Sequence, residues 1–134
     1  MHEWALAEAT ISAILKAVEE RGAKKVTEVK VKIGKLQQVE LEVLDFALKE
    51  LAKRTPLKGT KFKLEWEEAR FRCKACGLRW GLSDVGTLSK EELEAVHFVP
   101  ELIHAFARCP RCKSPDFEIV GGRGIWLEYV KISR

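Results

Sequence analysis

Apolar residues near the start of the chain recur at helical spacing. Ala7, Ile11, Ile14 and Val18 are separated by four, three and four positions, with Leu15 beside them. That pattern lines one face of an amphipathic helix beginning about Trp4. Glu19, Glu20 and Arg21 fall on the polar side, and Gly22 suits the left-handed turn that stops a helix. The period then changes to two. Over residues 26–33, Val29, Val31 and Ile33 alternate with Lys30 and Lys32, which predicts a half-buried strand ended by Gly34. A second helix is expected over about 40–53, where Leu41, Leu44, Leu48 and Leu51 share a face, and Pro56 and Gly59 mark a loop. Alternation returns over 61–67, with Phe62, Leu64 and Trp66 against Lys63, Glu65 and Glu67. Residues 1–68 therefore read helix, strand, helix, strand.

The second half is less regular. Ser89-Lys90-Glu91-Glu92 is a capping-box pattern opening a short helix through about Val96. Residues 116–120 read as a short strand, and Gly121-Gly122-Arg123-Gly124 as a flexible turn without the spacing of a phosphate loop. Ile125 to Ile132 reads as a last strand of ambiguous alternation, since Glu128 and Lys131 stand on opposite faces. It is expected to return to the N-terminal sheet. The fold class is thus α+β: two helices packed on a small β-sheet, with an inserted four-cysteine, zinc-ribbon-like module. The expected division is 1–68 plus about 117–134 for the α+β domain and 69–116 for the insertion.

The chain has 134 residues, of which 46% are hydrophobic and 33% charged, enough apolar material for a core. The absence of Asn, with Gln only at 37 and 38, fits a thermophile's composition. Net charge is +4 without a long run of one sign, so nucleic acid is not called for. No apolar run approaches the roughly 18 residues of a membrane span. Acidic Glu3 and Glu8, with no basic segment ahead of them, do not suit a signal peptide. A cytoplasmic protein is expected, in which thiols stay reduced and clustered cysteines point to metal.

Cys73-Lys74-Ala75-Cys76 and Cys109-Pro110-Arg111-Cys112 are two Cys-x-x-Cys turns. Two residues between cysteines let both sulfurs face one ion, and two such turns make a tetrahedral tetrathiolate set. Four thiolates fill the coordination sphere, so the site reads as closed and structural, with Zn(II) as the expected metal. Iron in a rubredoxin-like site and a redox dithiol are the competing readings.

Met1-His2-Glu3 offers different chemistry. A free amine, an amide nitrogen and an imidazole in that order close two fused chelate rings on one ion. His2 is not small, so the initiator Met1 is expected to stay. A nitrogen-rich, square-planar set favours Ni(II) or Cu(II). Glu3 can add a carboxylate, its own amide or a hydrogen bond behind the ligands. The 32 residues between the cysteine pairs, 77–108, carry His97 and His104. A long loop with its own helix suggests a task. One imidazole would complete a four-nitrogen plane; His97 is favoured because the Pro100 turn would present it on an exposed tip, with His104 as the alternative.

Met-His-Glu at the terminus, the leading amphipathic helix and the two Cys-x-x-Cys pairs together resemble the HypA family of [NiFe]-hydrogenase maturation nickel chaperones. The resemblance covers essentially the whole chain. Gly34-Lys35-Leu36-Gln37 and Gly122-Arg123-Gly124 are also similar to that family. It implies Met1, His2 and Glu3 at the nickel-binding terminus and Cys73, Cys76, Cys109 and Cys112 as structural zinc ligands. Ni(II) is then cargo, delivered with a nucleotide-hydrolysing partner of the HypB type to the hydrogenase large subunit. The long insertion resembles the archaeal form. No catalytic set and no His-Glu-x-x-His motif can be placed, so an enzyme is not expected. The alternative is a four-cysteine zinc ribbon binding nucleic acid or protein, motivated by Arg72, Lys74, Arg79, Arg108, Arg111 and Lys113 around the cysteine turns.

Overall fold

The computed structural model describes residues 3–22, 25–37, 39–86 and 88–133. Its elements are α1 (Glu3–Glu20), β1 (Lys25–Gly34), α2 (Leu41–Ala52), β2 (Lys61–Glu67), β3 (Arg70–Cys73), β4 (Arg79–Gly81), α3 (Lys90–Phe98), α4 (Ile103–Phe106), β5 (Phe117–Gly121) and β6 (Ile125–Ser133). Short 3-10 turns lie at Leu82–Asp84 and Pro100–Leu102. The chain divides into two compact units. One is Met1–Lys32, Val39–Glu65 and Ile125–Arg134; the other is Ile33–Gln38 and Trp66–Gly124. Each has its own three-stranded sheet, in the orders β2-β1-β6 and β4-β3-β5.

In the first unit the periodicity decides what is buried. Ala7, Ile11 and Ile14 of α1, Leu44, Ala47 and Leu48 of α2, and Val29 and Val31 of β1 are buried. Each full burial of such an aliphatic side chain contributes roughly 1.5–3 kcal/mol relative to exposure. Helices α1 and α2 pack on each other, and α1 also touches β6. The last strand does return to this sheet, pairing beside β1. The two charges that blur its alternation are answered across the strands. Glu128 meets Lys30 at 3.0 Å, and Lys131 meets Glu28 at 3.3 Å. Lys30 also reaches Glu65 of β2 at 3.0 Å, so one ammonium ties all three strands.

The second unit is built on aromatic rings. Phe71 on β3, Trp80 on β4 and Phe117 on β5 are buried. Their ring centroids stand 5.2–5.7 Å apart. Strand register brings them together: Phe71 is opposite Trp80, and Cys73 opposite Phe117. Leu36, Val96 and Ile103 close the same core. Around it, the Gly121–Gly124 segment is not a loose turn but a tightly packed crossing. Gly34 N–H donates to the Gly124 carbonyl at 2.8 Å, and Leu36 N–H to the Gly122 carbonyl at 2.9 Å. A Cβ on Gly34 would lie 2.1 Å from the Gly122 carbonyl oxygen, and one on Gly122 would lie 2.5 Å from Ala69 Cα. Only glycine lets these two backbones approach so closely. Among the described residues, no helix is long and apolar enough to cross a membrane.

Candidate metal centre

The end of β3 carries Cys73 into a tight turn, and the same turn recurs at Cys109. Gly77 N–H donates to the Cys73 carbonyl, and Lys113 N–H to the Cys109 carbonyl, both at 3.0 Å. In each turn the amide of the second cysteine points at the sulfur of the first: Cys76 N to Cys73 Sγ at 3.4 Å and Cys112 N to Cys109 Sγ at 3.5 Å. The residue after the second cysteine is left-handed in both, Gly77 with φ 78° and Lys113 with φ 64°. The two turns are thus copies of one geometry, although only one has the residue that adopts it without strain.

Facing each other, the turns bring all four sulfurs within 4.8 Å of one another. Cys73 Sγ stands 3.5 Å from Cys112 Sγ, and Cys76 Sγ stands 3.6 Å from Cys109 Sγ. Thiolates about 2.3 Å from a tetrahedral Zn(II) would stand about 3.8 Å apart, so the donor set fits that ion. Electrostatics point the same way. The Cys76 thiol is drawn down to about 6, first by the Leu78 amide and then by the Arg111 guanidinium. The Ser114 amide pulls Cys112 down, yet the Cys73 sulfur and burial push it up to about 11. Sulfurs this close resist becoming anions together unless a cation binds them. Cys73 and Cys109 are buried, Cys76 half-buried and Cys112 exposed, so the group is fixed on its inner side and open on its outer one.

Arg111 is a residue whose role the spacing did not reveal. Its Nη2 donates to the Cys76 carbonyl at 3.0 Å, clamping the first turn from the second. Its neighbours are also engaged. Arg72 pairs with Glu118 at 2.6 Å and Lys74 with Asp116 at 3.9 Å. Half of the basic side chains that suggested a nucleic-acid face therefore serve the module itself.

The four cysteines come together as expected. The other candidate ligands are distributed differently. Met1 and His2 lie outside the described residues. Glu3 opens α1 in the first unit and is only 7% exposed. Its carboxylate accepts a hydrogen bond from the Glu40 amide at 3.4 Å, which ties the helix start to the segment entering α2. His97 and His104 belong to the second unit. His97 sits half-buried in the last turn of α3, while Phe98 next to it is 67% exposed and Pro100 is buried. The exposed tip expected for His97 therefore carries a phenylalanine, because the helix runs two residues beyond Val96. His104, on α4, lies on the ring of Phe117 with centroids 4.3 Å apart.

Comparison with known proteins follows the same outline. A family model described as "Hydrogenase/urease nickel incorporation, metallochaperone, hypA" matches residues 1–132. The hydrogenase maturation factor HypA of Pyrococcus horikoshii is 45% identical over 135 aligned positions, covering 100% of this chain and 97% of that one. The factor of the same name from Thermococcus onnurineus is 43% identical with the same coverage. Among solved structures, the solution structure of the Ni metallochaperone HypA from Helicobacter pylori superposes with a TM-score of 0.66 at 16% identity. That match covers 98% of this chain and 97% of the other, and it shows the fold.

Proposed function

We propose, starting from a chain that belongs to the HypA family of nickel-incorporating metallochaperones, that it takes up Ni(II) at its first residues and hands it on during [NiFe]-hydrogenase maturation. Met1 would supply the amine and His2 an amide nitrogen and its imidazole, with His97 as the fourth ligand, His104 as the alternative, and Glu3 hydrogen-bonding behind them. The observation that carries this reading is the anchoring of Glu3. A buried carboxylate bonded to the Glu40 amide holds the start of a rigid helix, and the chelating residues stand immediately before that fixed point. Held this way, the Glu3 side chain serves behind the ligands rather than among them.

Such a chelate suits a carrier. Its ligands bind only when deprotonated, and an α-amine has a pKa of about 7.7–8.0 and an imidazole about 6.5. Uptake therefore releases protons and weakens in acid. A site at a chain end can also be opened one ligand at a time by a receiver with better donors. The tetrathiolate group has the opposite character. Cys73, Cys76, Cys109 and Cys112 would hold a structural Zn(II), which supplies four bonds that close the ribbon; the ion takes no part in delivery. The receiver would be a nucleotide-hydrolysing partner of the HypB type or the hydrogenase large subunit, in the cytoplasm, and this chain would itself catalyse nothing. The test is His2→Ala. Nickel binding should be lost while zinc content and fold persist; a variant that binds nickel with unchanged affinity would overturn the assignment.

A further inference from the structure

Beside the second cysteine turn lies an open cleft of about 420 Å³. Its walls combine three nitrogen-bearing side chains, His104, Arg108 and Lys113, with the apolar surfaces of Phe106, Pro110 and Pro115. No salt bridge answers Arg108 or Lys113 among the described residues. Lys113 donates only to the neutral Pro110 carbonyl, at 3.3 Å. Asp84 also borders the cleft, but one of its oxygens is occupied by the Gly81 amide at 3.1 Å. Two cationic side chains, Arg108 and Lys113, thus face one carboxylate, Asp84, across a wall that is part polar and part apolar. Elsewhere in the module Arg72, Lys74 and Arg123 each face a carboxylate.

We propose that this cleft docks an acidic peptide segment of a protein partner, one in which carboxylates alternate with apolar side chains. Guanidinium and ammonium groups would take the carboxylates, and Phe106 with the two prolines would take the apolar side chains. The space exceeds what a small anion fills, and Phe106, Pro110 and Pro115 would gain nothing from one. Nucleic acid is the poorer match because Arg72, Lys74 and Arg111, three of the flanking basic side chains that would track its backbone, are already engaged. The proposal stands apart from the nickel reading and is tested without nickel.

The zinc-loaded full chain, labelled with nitrogen-15, is titrated with the capped pentapeptide Glu-Leu-Glu-Phe-Glu. Saturable shifts are expected at His104, Arg108 and Lys113, with affinity falling as salt rises. Arg108→Gln and Lys113→Gly should each weaken binding at least fivefold, while Arg79→Gln, outside the cleft, leaves it unchanged. Lys113→Gly keeps the test meaningful if Arg108→Gln folds poorly, because glycine suits the backbone at 113. Three results would each overturn the proposal: equal binding of the peptide with Gln for Glu, equal occupancy by inorganic phosphate at matched ionic strength, or tighter binding of a single-stranded oligonucleotide at the same residues. Absence of saturable shifts would overturn it as well.

Discussion

Lys113 has φ 64°, a region that L side chains enter at a cost, at the position where the first cysteine turn has Gly77. The sequence repeats the cysteines but not this glycine, so the strain is local and removable. Lys113→Gly should stabilise the zinc-loaded protein by about 0.5–1 kcal/mol, and Gly77→Ala should destabilise it by about 1 kcal/mol. Chemical denaturation of the two variants measures both. Glu28 gives a pH-dependent counterpart. The Tyr129 hydroxyl, against some burial and aided by Lys131 and Lys63, holds its carboxyl below the ordinary value of about 4.3. A carboxyl whose folded value is depressed adds stability above its unfolded value, and that contribution is lost as pH falls through the folded one. Glu28→Gln should therefore unfold at a lower temperature at pH 7, and the gap should close below about pH 4. A constant gap across that range would mean that the charge of Glu28 is not what matters.

At the scale of elements, the crossing of residues 34–36 with 122–124 is the most demanding feature. Its hydrogen bonds join segments far apart in sequence, and a Cβ at Gly122 has Ala69 Cα in its way at 2.5 Å. Gly122→Ala should cost more than about 2 kcal/mol, since backbone rather than a flexible side chain must yield. Gly59→Ala, at a glycine with nothing within 4 Å of the added carbon, should cost about 1 kcal/mol from its positive φ alone. Thermal unfolding of the pair distinguishes crowding from backbone preference. This crossing also marks where the sequence was readable and where it was not. Helices α1 and α2 and strands β1 and β2 announce themselves, because Ile11, Leu44 or Val31 repeat with the period of their element. Strands β3 and β4 do not. They are four and three residues long, and Phe71 and Trp80 are buried by partners on other strands rather than by a local pattern. Leu36 likewise joins the second core from a stretch that adjoins the first sheet.

At the scale of the molecule, two units with separate cores confine the four-cysteine group to one of them. The aromatic core of Phe71, Trp80 and Phe117 is small, and four cysteines from its edges are what close it. Removing the metal with a chelator should speed amide exchange through β3, β4 and β5 at least tenfold while leaving β1, β2 and β6 protected. Exchange that accelerates uniformly would instead mean one cooperative fold. The four-cysteine group was legible because coordination imposes its spacing on the chain. The placement of His97 and His104 was not, since a buried Pro100 and the ring of Phe117 are tertiary neighbours that no local pattern records.

The central claim is that nickel is held by the chain end itself, and lengthening that end tests it most directly. Zinc-loaded protein with its native Met1 is titrated with Ni(II) beside a version carrying one additional residue before Met1, with binding followed by absorption and by metal content. The account predicts one Ni(II) with a square-planar spectrum for the native terminus and its loss in the lengthened one, with zinc content equal in both. Equal nickel binding with the same spectrum in the two proteins would contradict it.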